Sequence, residues 1–216
     1  MSPIMKGTFF LAVVLFKTIL VFGQNNNDTY LLYQFDKLLN QPFPQLALED
    51  EKGDSINTAS LKGKTLYVDF WFTQCPPCLK QIPYSESLKR FFAADTNIVF
   101  VNICIENVER KEAWKQMVED KGIGGVNLFY ARNKPQKVNL LRQYKVEDFP
   151  TYMIVNSELK VIGHNGPAPS DKGLVQWCIY QATKNIKLSD SFLLWRRNSK
   201  EVQEFMKNVA GRLDQL

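Results

Sequence analysis

Histidine and cysteine are the scarce residues of this chain: His164 is the one histidine in 216 residues, and the cysteines are Cys75, Cys78, Cys104 and Cys178. A structural zinc site takes four Cys or His ligands. Beyond the close pair Cys75/Cys78 the chain offers only Cys104, Cys178 and His164, and both of those cysteines lie in apolar runs (97–105 and 174–180) that read as buried core. Four cysteines with one close pair are also too few for a disulfide-stapled scaffold. Basic residues are not clustered. The formal net charge of +5 includes no Lys/Arg group interleaved with aromatics, so a nucleic-acid groove is not expected. No internal repeat and no low-complexity segment is visible, and the longest apolar run, Gly7 to Gly23, is broken by Lys17 and short for a bilayer span.

The length and a hydrophobic content of 45% suit a leader plus one domain with a sizeable core. Met1 to Lys6 is short and basic, and the apolar run that follows reads as an export signal cleaved between Gly23 and Gln24, with an uncleaved N-terminal anchor as the alternative. Residues 1–23 carry Lys6 and Lys17 and no acid, so cleavage leaves a charge of +3 (5 − 2). No cysteine lies near the end of that segment, which argues against bacterial lipidation. Residues 24–39 read as a polar linker and N-terminal segment, in which Asn27-Asp28-Thr29 is a glycosylation acceptor only in a eukaryotic secretory pathway.

The chemistry-bearing stretch is Trp71-Phe72-Thr73-Gln74-Cys75-Pro76-Pro77-Cys78, directly after the strand-like run Leu66–Phe70. Two cysteines three positions apart, at the passage from a buried strand into a helix, can cycle between dithiol and disulfide. The Pro-Pro pair bends the chain so that the sulfurs approach bonding distance. Cys75 falls at the first turn of the helix, where unpaired N–H groups and the positive dipole end stabilise a thiolate. That thiolate is the species that attacks a disulfide.

Strand and helix signals alternate along the rest. Residues 43–48 and 54–57 flank the turn 50–53 as a hairpin, and a buried strand covers 65–72. A helix is expected over 75–93, facing Leu79, Ile82, Leu88, Phe91 and Phe92 inward and bent at Pro83. The run 98–105 is apolar throughout, as in a strand covered on both faces. Residues 109–121 read as a helix closed by Gly122, 126–131 as a strand and 138–144 as a short helix. Residues 151–155 and 160–163 read as an antiparallel pair, and 171–183 as a returning helix.

This order resembles the thioredoxin fold over residues 40–184. Cys75-Pro76-Pro77-Cys78 matches the active-site motif of that superfamily, Trp71 its tryptophan four residues earlier, and Asp69 its buried acid. Pro83 matches its helix proline, Phe149-Pro150-Thr151 its cis-proline loop, and Gly166 the glycine at which substrate approaches. The early hairpin and a central insertion at 106–135 are similar to the extracytoplasmic TlpA-like reductases, which include helpers of cytochrome c maturation. The resemblance implies a three-layer α/β/α fold, with residues 185–216 as a C-terminal helical extension. It implies a thiol–disulfide oxidoreductase, reducing rather than oxidising, that works without a cofactor or metal. Its partners would be protein or small-molecule disulfides and a membrane or periplasmic electron donor.

Two positions depart from the family pattern: Gln74 stands where most relatives place tryptophan, and Gln81 where some carry glutamate. The resemblance makes Cys75 the attacking sulfur and Cys78, expected to be less exposed, the resolving one. Asp69 then accepts the Cys78 proton directly or through water, unless it is a structural carboxylate paired with Lys62 or Lys64. Substrate contacts are expected from Trp71, Pro76, Pro77, Phe149, Pro150 and Thr151, although a tryptophan in the place of Trp71 is more often core packing than a substrate contact. His164 reads as a strand-end surface residue, and Lys80 and Lys89 as a solvated helix face. Val202, Phe205, Met206, Val209 and Leu213 form a stripe that packs on the domain or on a partner, and Phe192 to Trp195 also needs cover. The same residues leave two other functions open. A peroxidase of the peroxiredoxin type wants Thr or Ser where Phe72 stands, and a copper carrier would have only His164 as a third ligand.

Overall fold

The computed structural model describes residues 28–135 and 139–214. The expected export signal and its Gly23/Gln24 cleavage point lie outside the described residues, as do 24–27 of the linker. Residues 28–36 are helical (α1); those up to Gln34 belong to a first compact unit, and Phe35–Leu216 form a second, to which everything below refers.

Seven strands make one sheet in the order β2-β1-β5-β4-β3-β6-β7. They are β1 (Ala47–Asp50), β2 (Ser55–Asn57), β3 (Thr65–Trp71), β4 (Ile98–Glu106), β5 (Val126–Ala131), β6 (Thr151–Val155) and β7 (Val161–His164). The centre is parallel: β3 runs with β4, pairing Trp71 with Cys104, and β4 runs with β5. β6, β7 and the hairpin β1/β2 are antiparallel additions at the two sides. The hairpin closes because Asp50 Oδ1 accepts the N–H groups of Lys52 and Asp54 while Gly53 takes a φ of +94°.

Side chains on successive strand residues point to opposite faces, and both faces are covered. Leu66, Val68 and Phe70 join Val101, Ile103, Ile105, Met153 and the helical Leu140 in one apolar cluster. Trp71 joins Cys75, Cys78, Cys104, Phe129 and the helical Trp114 in another. Helical residues thus enter both clusters, and the result is the three-layer, thioredoxin-like α/β/α arrangement.

The helices are α2 (Pro76–Phe91), α3 (Lys111–Asp120), α4 (Leu140–Gln143), α5 (Leu174–Thr183), α6 (Leu188–Arg196) and α7 (Lys200–Leu213). Along α2, Cys78, Ser85, Leu88 and Phe91 are buried, while Leu79, Ile82 and Phe92 are half-buried. Two helices start later than the sequence pattern indicates. A separate 3-10 turn, Val108–Arg110, precedes α3, and the left-handed Gly173 (φ +86°) stands between Asp171 and α5.

The tail packs on its own domain. Val202, Phe205, Val209 and Leu213 of α7 are buried, and the Phe205 ring lies 5.3 Å from Trp177 and 5.1 Å from Tyr180. Half-buried Phe192 of α6 meets Phe35 edge to face at 5.3 Å. Among the described residues no helix is long and apolar enough to cross a membrane.

Candidate active site

The loop from β3 into α2 carries the cysteine pair. Pro76 and Pro77 occupy the first two helical positions, where proline's fixed φ suits the backbone and its missing N–H leaves no bond unmade. Cys75 is the N-cap, and its Sγ accepts the Cys78 N–H at 3.2 Å. An amide aimed at that sulfur favours negative charge on it. Cys75 and Cys78 are joined as a disulfide, with Cα atoms 5.2 Å apart.

Both sulfurs are covered, which corrects the expected order of exposure. Cys75 is 1% exposed and Cys78 4%. The cover comes from the apolar cluster of Trp71, Cys104, Trp114 and Phe129, with Phe72 and Phe149 packed against it and against each other at 5.2 Å. Sequence order alone places Cys75 at a helix end and says nothing about what folds over it.

Asp69 sits on β3, opposite Asn102 of β4 and Tyr152 of β6. The residue is half-buried, yet its Oδ1 is sealed from water and has no hydrogen-bond partner. That burial pushes its pKa from 3.8 up to about 7, against a smaller downward pull from Lys89. The alternative, a pairing with Lys62 or Lys64, is not formed: Lys64 Nζ donates to the Thr96 carbonyl, and Lys62 is exposed. A cavity of about 10 Å³ is lined by both Asp69 and Cys78, together with Trp71, Glu86 and Asn102. That is room for about one water. The Trp71 indole N–H is likewise buried without a partner, and Trp71 itself is 3% exposed.

The other expected residues differ in exposure and in partners. The Phe149–Pro150 peptide is cis, and Thr151, next along, is buried with its hydroxyl donating to the Asp148 carbonyl. Gln74, Pro76 and Pro77 are exposed, and Phe149 and Pro150 half-exposed. Gly166 N–H donates to the Tyr152 carbonyl, which places that turn beside the strand carrying Thr151. Gln81 binds Ser170 twice, donating to its hydroxyl and accepting from its N–H. His164 is not a surface residue: it is fully buried at the end of β7, with Nε2 3.0 Å from the Tyr144 carbonyl. The segment around α4 folds over that strand end, a long-range contact that a strand-end position does not disclose. Lys89 is not a freely solvated residue either; it pairs with Glu86 at 2.7 Å.

One group escaped the sequence reading. Thr73, two residues before Cys75, is 2% exposed and donates to Glu106 Oε2 at 3.1 Å while accepting from both Nη2 (3.0 Å) and Nε (3.2 Å) of Arg110. The only hint in sequence is a glutamate closing the apolar run of β4, with an arginine four residues later.

A model of the Redoxin family matches residues 38–173. The thiol-disulfide oxidoreductase ResA of Bacillus subtilis is 32% identical over 120 residues, covering 55% of this chain and 62% of that protein. The ResA of Halalkalibacterium halodurans is 27% identical over 115 residues, covering 53% and 61%. The chain thus spans about three-fifths of the length of these relatives. In fold, the solution structure of a thiol:disulfide interchange protein from a Bacteroides species superposes with a TM-score of 0.55 at 24% identity, covering 68% of this chain and 93% of that one.

Proposed function

The chain belongs to the Redoxin family, and from that footing we propose that it is a thiol–disulfide oxidoreductase acting through Cys75 and Cys78. One observation carries the reading: a disulfide whose first sulfur caps a helix and whose second borders a small cavity shared with a buried carboxyl. The two relatives above bear the name thiol-disulfide oxidoreductase, and their likeness supports this activity here.

In the reduced enzyme the Cys75 thiolate attacks one sulfur of a partner disulfide. A Cys75–partner bond forms, the partner's own S–S bond breaks, and the departing sulfur leaves as a thiolate that takes a proton from solvent. Cys78 then loses its proton, attacks Cys75, closes the 75–78 disulfide and expels the second partner thiolate. Two electrons pass from the cysteine pair to the partner, so an external dithiol must restore the pair. Asp69, whose burial pushes its pKa up to about 7, is suited to receive the Cys78 proton through one water.

Pro76, Pro77, Phe149 and Pro150, exposed or half-exposed, form the partner-facing surface of this proposal, while Trp71 and Thr151 are buried. Since both sulfurs are covered in the closed form, an approaching thiol must first displace part of the Phe72/Phe149 cover. Protein disulfides are the substrates we infer, in an exported, extracytoplasmic setting where a membrane or periplasmic thiol returns electrons. Disulfide reduction is the favoured direction.

Trapping tests the activity. Cys78→Ser should stall the mixed disulfide and hold a partner on Cys75, released by dithiothreitol, while Cys75→Ser holds none. Capture by Cys75→Ser alone would reverse the two roles, and capture by neither variant would refute exchange through this pair.

A further inference from the structure

We propose that Thr73, Glu106 and Arg110 form a positioning triad that holds the Cys75 loop and cancels a buried negative charge close to the attacking sulfur. The inference rests on the exchange activity proposed above for Cys75 and deepens it.

The geometry is specific. Glu106, the last residue of β4, has a side chain only 4% exposed, and its Oε2 accepts from Arg110 Nε at 2.6 Å as well as from the Thr73 hydroxyl. Arg110 approaches from the 3-10 turn after β4, and its guanidinium reaches both partners at once. That turn is itself tied down: Val108 N–H donates to Asn133 Oδ1, and Arg132 N–H to the Glu106 carbonyl. One end of the loop from 72 to 75 is therefore anchored through a side-chain hydroxyl, and the other by the Cys75 N-cap.

A buried carboxylate is costly unless it is paired and hydrogen-bonded. Placed at the loop that must carry a thiolate, it would also oppose that charge. Cys104, in the same apolar cluster as Cys75, registers both members of the pair. Its thiol is pushed up first by burial and then by Glu106, while Arg110 pulls it down. Arg110 thus offsets the field of Glu106 in the region where the Cys75 thiolate forms. Other titratable groups around Cys75 are Cys78 and the Glu86–Lys89 pair on α2, Asp69 on β3, Cys104 on β4, and Asp148 ahead of Phe149. Cys78 is replaced by serine in every protein compared and none of the others changes, so differences report on the triad.

The readout is the pH dependence of iodoacetamide alkylation at Cys75 in reduced full-length protein, which needs no disulfide partner. Each protein also carries Cys78→Ser, so that only one of the pair reacts. Arg110→Met should raise the Cys75 pKa by about one unit, and Glu106→Gln should lower it. Below the pKa, the Arg110→Met rate should drop about three- to fourfold: tenfold less thiolate is partly offset by its greater nucleophilicity. The double variant Glu106→Gln/Arg110→Met should return towards the parent profile. A merely structural triad predicts the opposite, a double variant at least as perturbed as Arg110→Met. The proposal is overturned if the three profiles coincide with the parent, or if the double variant fails to recover. Should Arg110→Met not fold, the isosteric Glu106→Gln decides alone: a lowered pKa upholds the proposal and an unmoved one defeats it. Loss of exchange activity in the wild type, with these alkylation shifts intact, would count against the enzyme reading and not against the triad.

Discussion

Replacing Asp69 by asparagine removes an acid whose burial lifts its pKa from 3.8 to about 7. Between those values the folded protein keeps a proton that the unfolded chain has lost. Raising the pH through this interval therefore lowers the contribution of Asp69 to wild-type stability, and that contribution is flat below about pH 4 and above about pH 7. At 1.36 kcal/mol per pKa unit the whole interval corresponds to roughly 4 kcal/mol. That figure is an upper one, because Asp69 is half-buried while only its Oδ1 is sealed. Asparagine keeps the shape and does not ionise. Whatever its amide costs in the cavity is the same at every pH, so the slope isolates the charge. Denaturant unfolding of both proteins, with the disulfide closed, should be followed at about pH 4, 5.5, 7 and 8.5. The variant should gain on the wild type steadily from about pH 4 to 7 and hold its lead beyond. A stability difference equal within about 0.5 kcal/mol at the two extremes would mean that Asp69 is ionised at no cost in the fold, and the raised pKa would be wrong.

The same substitution should slow disulfide reduction by at least about tenfold near neutral pH, because the proposed acceptor of the Cys78 proton is gone; stopped-flow kinetics with a model disulfide would show it, and an unchanged resolution rate would remove Asp69 from the mechanism. Gly163→Ala would place a Cβ 2.6 Å from Leu188 Cβ, where β7 meets α6. Overpacking of this kind costs about 1–3 kcal/mol, visible as a lowered Tm, and an unshifted Tm would mean α6 yields freely. Phe205→Ala strips the ring that α7 lays on Trp177 and Tyr180, and should cost about 3 kcal/mol, with faster amide exchange along α7 and little effect on alkylation of Cys75.

Short-range features were legible in the residues themselves. Pro76-Pro77 after a buried strand dictates a helix start at Cys75. The unbroken apolar run of β4 dictates a strand covered on both faces, and the spacing of Val202, Phe205, Val209 and Leu213 dictates an amphipathic helix. Each of these depends on dihedral preference or periodicity within one segment. Contacts between segments decided the rest. His164 is buried because residues around Tyr144 close over β7, Cys75 is covered because Trp114 and Phe129 arrive from elsewhere in the chain, and Asp69 stays unpaired because Lys64 reaches Thr96 instead. The Thr73–Glu106–Arg110 triad belongs with these: a threonine on one connection and an ion pair beyond another strand meet only when β3 and β4 pair in parallel register. Local rules place the reactive sulfurs, whereas the dielectric and the charges that govern them depend on which distant side chains the sheet brings alongside.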